Sequence, residues 1–139
     1  KDLGRDGARV PIPWDSEKNN FGFTSGTPWL PIDKIYKNFS INLENNDVDS
    51  FLNLYKKSLA IRKTNENLQG NIITFIDSPI GTVAFRRGEN VSVYANTLDR
   101  EIKVKIQSKA SILISSNPNI LCKDDLLYLA PNSTVWLEH

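Results

Sequence analysis

One cysteine, one histidine and no methionine occur in these 139 residues. A lone thiol, Cys122, cannot close an internal disulfide, so no disulfide framework is available to the fold. It sits among Ile120, Leu121, Leu126 and Leu127, and is expected to be a buried structural thiol. His139 is the last residue, and Leu137-Glu138-His139 (137–139) reads as the scar of a purification tag. On that reading a Cys/His zinc site, a Ser-His-Asp triad and a Cys-His nucleophile pair are all excluded. No metal and no cofactor is expected. No apolar run reaches the roughly 18 to 20 residues that cross a bilayer. Nor does a basic and apolar leader open the chain, so a soluble, cytoplasmic protein with no membrane partner is expected. Seventeen basic and sixteen acidic residues leave a formal charge of +1. Nucleic-acid binding needs clustered positive charge, and none is expected here.

Two familiar catalytic signatures are missing as well. Gly4-Arg5-Asp6-Gly7 lacks the GxxxxGK[ST] pattern of a phosphate loop. The carboxylates fall in no motif that singles out an acid/base pair, and most read as caps, turns or solvated strand faces. Arg100, Lys103 and Lys105 form the one basic cluster. Alternate residues of a strand share a face, so the two lysines read as a solvated sheet surface. Read alone, this chain assembles no catalytic site. It opens without a methionine and reads as a segment of a longer protein.

What the chain does contain falls into three zones. Residues 1 to about 46 hold four of the seven prolines (Pro11, Pro13, Pro28, Pro31), four of the seven glycines and two of the three tryptophans. Proline fixes φ and removes a backbone donor, and glycine opens left-handed turns, so neither a long helix nor a central strand fits. A structureless stretch of about 40 residues is uncommon inside a compact domain. Yet Trp14, Phe21, Phe23, Trp29, Ile32, Ile35, Tyr36 and Phe39 are too apolar for a flexible linker. The segment needs a surface to lie on, and much of that surface is expected to belong to chain upstream.

The second zone is one helix, about Val48 to Arg62, with Asp47 as the expected N-cap. Val48, Phe51, Leu52, Tyr55, Leu59 and Arg62 recur at spacings of three and four, which makes one apolar stripe. Lys56, Lys57, Arg62 and Lys63 lie toward its C-terminal end, where the helix dipole favours cations. From Gly70 onward the period becomes two. Strands are expected near 72–77, 83–86, 91–96, 101–106, 111–114 and 134–137, with 126–129 a further candidate. Short strands at this spacing predict an antiparallel sandwich or barrel-like sheet. Phe75, Phe85, Tyr94, Tyr128 and Trp136 are expected mostly to look inward. The fold class is therefore mainly β with one long helix.

One ordered series is more specific. Gly4-Arg5-Asp6-Gly7-Ala8-Arg9-Val10-Pro11-Ile12-Pro13-Trp14-Asp15 is followed by Phe21-Gly22-Phe23 and by Gly26-Thr27-Pro28-Trp29-Leu30-Pro31. Asp49-Ser50-Phe51-Leu52-Asn53-Leu54-Tyr55-Lys56-Lys57 and Ile61-Arg62-Lys63 complete it. The series resembles the C-terminal part of α-glucosidases of the α-amylase superfamily, the group with oligo-1,6-glucosidases and trehalose synthases. Those relatives carry RDxxRxPxxW, a Gly-Phe turn, a PW(L/I)P segment and a D-S-x-x-x-x-Y-x-K helix ending near L-R-K. The resemblance covers about residues 4 to 63. The strand-rich remainder matches only as a C-terminal β-domain. Many relatives have Thr-Pro-Met-Gln-Trp where this chain has Val10-Pro11-Ile12-Pro13-Trp14, which leaves the linkage preference open.

The resemblance implies a C-terminal antiparallel β-sandwich plus the last loop and helix of a (β/α)8 barrel. Residues 1–66 would end the barrel and 67–137 would form the sandwich domain. It implies retaining hydrolysis of small malto- or isomalto-oligosaccharides by an exo-acting enzyme, with an Asp nucleophile and a Glu acid/base. Those carboxylates lie upstream in the family, so no catalytic residue is expected in this chain and the chain alone is expected to be inactive. The second arginine of RDxxR, here Arg9, holds a hydroxyl of the non-reducing glucose in related enzymes, and Asp6 would orient it. Alternatively Arg5, Asp6 and Arg9 form an ion-pair knot that pins the loop. Trp14 and Trp29 read as packing anchors more readily than as sugar platforms. The expected partner is a small α-glucoside held by the parent barrel, and the bare helix stripe would favour self-association. A trehalose-forming or sucrose-cleaving relative would differ only upstream. The competing reading is a non-catalytic carbohydrate-binding or structural β-sandwich module.

Overall fold

In the computed structural model, which describes residues 4–5, 8–106 and 109–139, the two-residue period of the third zone becomes eight strands. They are β1 (Ile73–Phe75), β2 (Thr82–Arg87), β3 (Val91–Asn96), β4 (Ile102–Lys105), β5 (Ser111–Ser115), β6 (Leu121–Lys123), β7 (Leu126–Leu129) and β8 (Ser133–Glu138). A five-stranded sheet has the order β1-β2-β3-β8-β5, and a three-stranded sheet the order β4-β7-β6. Every pairing is antiparallel. The chain divides into two compact units, Lys1–Lys56 and Lys57–His139, with the division inside a helix.

The second unit has its own core. Ala84, Tyr94, Val135 and Leu137 from the larger sheet pack with Ile102, Val104, Leu127 and Leu129 from the smaller one. Alternation does the sorting: in β4 Ile102 and Val104 are buried while Lys103 and Lys105 face solvent, as the sequence pattern predicts. On that outer face Lys103 Nζ lies 5.1 Å from the Tyr128 ring centroid. Asp124 and Asp125 both have positive φ (51° and 59°) and form the tight turn between β6 and β7. Short side chains that bond locally tolerate this conformation best. Asn96 binds the two sheets. Its Nδ2 donates to the carbonyls of Arg100, Leu129 and Ala130 at 2.7, 3.3 and 2.9 Å, and its Oδ1 accepts from Leu98 N–H at 3.0 Å.

Three expectations change. Phe75, Phe85, Val93, Trp136 and Ile114 lie in one cross-strand row. The inward row is Ala84, Tyr94 and Val135, so Phe75, Phe85 and Trp136 occupy the opposite, outer face. Phe75 is 76% exposed there, with its ring 6.4 Å from that of Phe85 in a T-shaped pair. Both faces of this sheet are apolar, which removes the contrast that normally identifies the inner one. Strand β6 was not expected, because three residues carry no measurable period. Cys122 is half-buried and packs at the margin of the core rather than within it. Its surroundings push the thiol pKa up, which favours the inert protonated form.

The helix of the second zone is α2 (Phe51–Thr64), preceded by the short α1 (Ile41–Asn46). Its N-cap is Ser50 rather than Asp47. Ser50 Oγ accepts the Asn53 N–H at 3.2 Å, and Glu44 Oε2 accepts the Leu52 N–H at 3.0 Å. Asp47 instead accepts from Asp49 N–H and turns the chain between the helices. The stripe is present but uncovered: Val48, Phe51, Tyr55 and Leu59 are all exposed.

The first unit is built differently. Among its described residues no large apolar side chain is buried; only Pro11, Ser16, Ser40 and Ser50 are. Hydrogen bonds hold it in place of a core. Trp14 and Asp15 N–H groups donate to Phe21 O at 2.8 and 3.0 Å, while Ile41 N–H donates to Pro13 O at 2.9 Å. Asn42 accepts the Ser16 N–H at 3.1 Å and donates to Asp15 and Ser16. The zone expected to lack regular structure contains 3-10 turns at Asn19–Gly22 and Lys34–Phe39 as well as α1.

Candidate functional site

Pro11 and Pro13 keep the backbone of residues 10–13 extended, so side chains on either side of the buried Pro11 point outward. The Gly-Phe turn brings Phe23 back toward them. Asn20, Phe21 and Gly22 all have positive φ (49°, 51° and 73°). Asn20 Nδ2 locks this turn by donating to the carbonyls of Thr24 and Gly26. Pro28 then delivers Trp29 and Leu30. The result is a hollow of about 510 Å³ lined by Arg9, Val10, Pro11, Ile12, Phe23, Trp29 and Leu30.

Its chemistry is one guanidinium above an apolar and aromatic floor. Arg9 is exposed and makes no ion pair among the described residues. A guanidinium carries five donors suited to an oxygen-rich ligand. Trp29 is 97% exposed and Trp14 51%, so neither acts as a packing anchor inside this chain. Arg9, singled out by the RDxxR stretch, lines this hollow with Phe23, Leu30 and Ile12, which no sequence motif joins to it. The available signal was the Gly-Phe turn, which folds residues 21–23 back beside Trp14. Asp6, the expected orienting carboxylate, lies outside the described residues.

Outside the residues that line this hollow, the exposed Glu17 has its pKa lowered chiefly by its bond to Lys37, whose Nζ is 3.2 Å away. Among the described residues no group of three His, Cys, Asp or Glu side chains could hold a metal ion, and no helix is long and apolar enough to cross a membrane.

An Arg-bearing loop of this kind, a helix after it and a two-sheet unit make up a recognisable part of one class of carbohydrate enzymes. Residues 1–71 match the α-amylase catalytic domain. The chain belongs to the α-amylase superfamily, and within it its likeness is to the α-glucosidases. It is 41% identical over 63 residues to the oligo-1,6-glucosidase of Parageobacillus thermoglucosidasius, covering 45% of this chain and 11% of that protein. With the probable oligo-1,6-glucosidase 2 of Bacillus subtilis it shares 31% identity over 142 residues, 96% of this chain and 25% of that one. In three dimensions, trehalose-6-phosphate hydrolase from Bacillus licheniformis superposes with a TM-score of 0.81 at 26% identity, over 97% of this chain and 26% of that one. Isomaltulose synthase from Protaminobacter rubrum gives 0.82 at 28% identity with the same coverage. The chain thus spans about a quarter or less of the length of these relatives.

Proposed function

We propose that this chain serves an exo-acting α-glucosidase that hydrolyses small malto- or isomalto-oligosaccharides with retention of configuration. In this reading residues 1–66 are the last loop and closing helix of a (β/α)8 barrel, and residues 67–137 are its C-terminal β-domain. The nucleophilic Asp and the acid/base Glu come from chain upstream, so residues 1–139 supply binding and support rather than the reacting carboxylates. Barrel enzymes keep their sites at the C-terminal face, where such a loop lies. The observation that carries the reading is Arg9: exposed, free of ion pairs among the described residues, and set in a hollow within the segment matched to the α-amylase catalytic domain. A guanidinium there bonds a glucose hydroxyl in the first subsite, and Asp6 orients it.

The test is Arg9→Ala in the enzyme with its barrel. A hydrogen bond from a charged donor to a sugar hydroxyl contributes about 1.5 to 3 kcal/mol. The loss in kcat/KM on a small α-glucoside is then about 10- to 150-fold. An unchanged kcat/KM with intact folding would reduce Arg9 to a structural residue.

A further inference from the structure

The inner face of the five-stranded sheet, apolar along most of its length, turns polar at one end. Arg86 on β2 pairs with Ser92 on β3, and Ser92 pairs with Leu137 on β8. Leu137 and Glu138, which with His139 read from sequence alone as a tag scar, form the end of β8, with Leu137 fully buried in the core. His139 follows on the same face, its N–H bonded to Asn90 O at 2.9 Å. Ser92 is fully buried and Tyr94 nearly so, while Arg86 and His139 are half-buried and reach solvent. Ser92 Oγ lies 2.6 Å from His139 Nε2, and Tyr94 stands two residues further along β3 on the same face.

Two nitrogens of this group are buried without a hydrogen-bond partner among the described residues: Arg86 Nε and His139 Nδ1. Among the described residues no carboxylate pairs with Arg86. The neighbouring charges point away. Glu138 and Arg87 alternate onto the opposite face, where Glu138 accepts from Asn65 and Arg87 donates to the carbonyls of Leu68 and Gly70. What remains is a cation beside two hydroxyls and an imidazole, with buried N–H capacity that no described residue satisfies. A buried polar group left unpaired is costly. The ligand that completes such a set is an acceptor carrying negative charge.

We propose that Arg86, Ser92, Tyr94 and His139 form a binding site for a small tetrahedral oxyanion such as sulfate or phosphate. The anion accepts from the Arg86 guanidinium and from His139 Nδ1, and the imidazolium then donates from both nitrogens, to Ser92 Oγ and to the anion. Without the anion, burial and the Arg86 charge hold the imidazole pKa below its usual value. Occupancy reverses that bias. The site is separate from the Arg9 hollow and does not depend on the α-glucosidase reading.

His139 is the only histidine in the chain, so its imidazole Cε1–H resonance is an unambiguous reporter. The experiment titrates it in the 139-residue chain in sodium sulfate and in sodium chloride at equal ionic strength. Sulfate stays ionised across the range, so the salt adds no titration of its own. The expected result is an imidazole pKa higher by about one unit in sulfate, with the difference lost in Arg86→Gln and partly kept in Arg86→Lys. An equal pKa in the two salts, or the same sulfate effect in Arg86→Gln, overturns the proposal. Should Arg86→Gln fail to fold, the amide shifts of Ser92 and Tyr94 in the unsubstituted chain decide: movement with sulfate and not with chloride supports the site, and no movement overturns it.

Discussion

Asn96 shows how much of the second unit rests on single polar side chains. It is 3% exposed, and its amide supplies the donor for three carbonyls and the acceptor for one N–H. Replacing it with Ala removes the side-chain donor to the Arg100 and Leu129 carbonyls and the acceptor of the Leu98 N–H, while the Ala130 carbonyl keeps Ser133 Oγ. At about 1 to 3 kcal/mol per buried group that loses its partner, Asn96→Ala is expected to lower unfolding stability by about 2 to 4 kcal/mol. Urea denaturation followed by near-ultraviolet dichroism checks this, and a change under 1 kcal/mol would contradict it. His139 sets a pH dependence of known sign. Its folded pKa is depressed, first by burial and then by Arg86, so the unfolded chain binds the proton more readily. Stability is full above the unfolded histidine value of about 6.5 and falls as the pH drops through it. Melting temperatures in chloride buffers should therefore decrease from pH 7.5 to 5, and a His139→Gln chain should lose the histidine part of that slope. Gly88 marks a tighter point still. Its φ is +58°, and a Cβ there would meet Asn67 Oδ1 at 2.5 Å, the same oxygen that accepts from the Glu89 and Asn90 N–H groups.

At the scale of elements, α2 owes its start to Ser50 and Glu44, two acceptors that take the N–H groups of Asn53 and Leu52. Ser50→Ala is expected to cost about 1 kcal/mol and to raise amide exchange over residues 51–54, measurable by hydrogen exchange; protection unchanged there would assign the cap elsewhere. The sequence pointed to this helix through spacings of three and four, yet placed the cap at Asp47, since Asp and Ser are equally good caps. Only the fold shows which one faces the first turn. Strands β3 and β4 were legible for a related reason: Val91–Asn96 and Ile102–Lys105 each carry a two-residue period long enough to register. Strand β6, Leu121–Lys123, was too short to do so. The side of Trp136 was misread because Phe75, Phe85 and Val93 make the outer face as apolar as the inner one. The hollow around Arg9 was harder again, because no period joins Arg9 to Phe23 and Trp29. Three consecutive left-handed residues do, and their conformation is not written in composition.

Over the whole molecule, the two units are stabilised by different means. Residues of both sheets share a closed core, while the first unit keeps its chain path by hydrogen bonds and leaves Trp14, Phe23, Trp29, Ile35 and Phe39 open. Hydrophobic burial contributes about 25 cal/mol per Å² removed from water, so side chains of this size left in solvent gain little of what they could supply. In the proposed reading, further chain supplies a catalytic barrel that gives these side chains a surface to cover and gives Arg9 a substrate to hold. The most direct measurement is hydrolysis of p-nitrophenyl α-glucoside and isomaltose by the purified 139-residue chain. No turnover above the uncatalysed rate is expected at any pH. Saturable turnover that is abolished by replacing a carboxylate within residues 1–139 would contradict it.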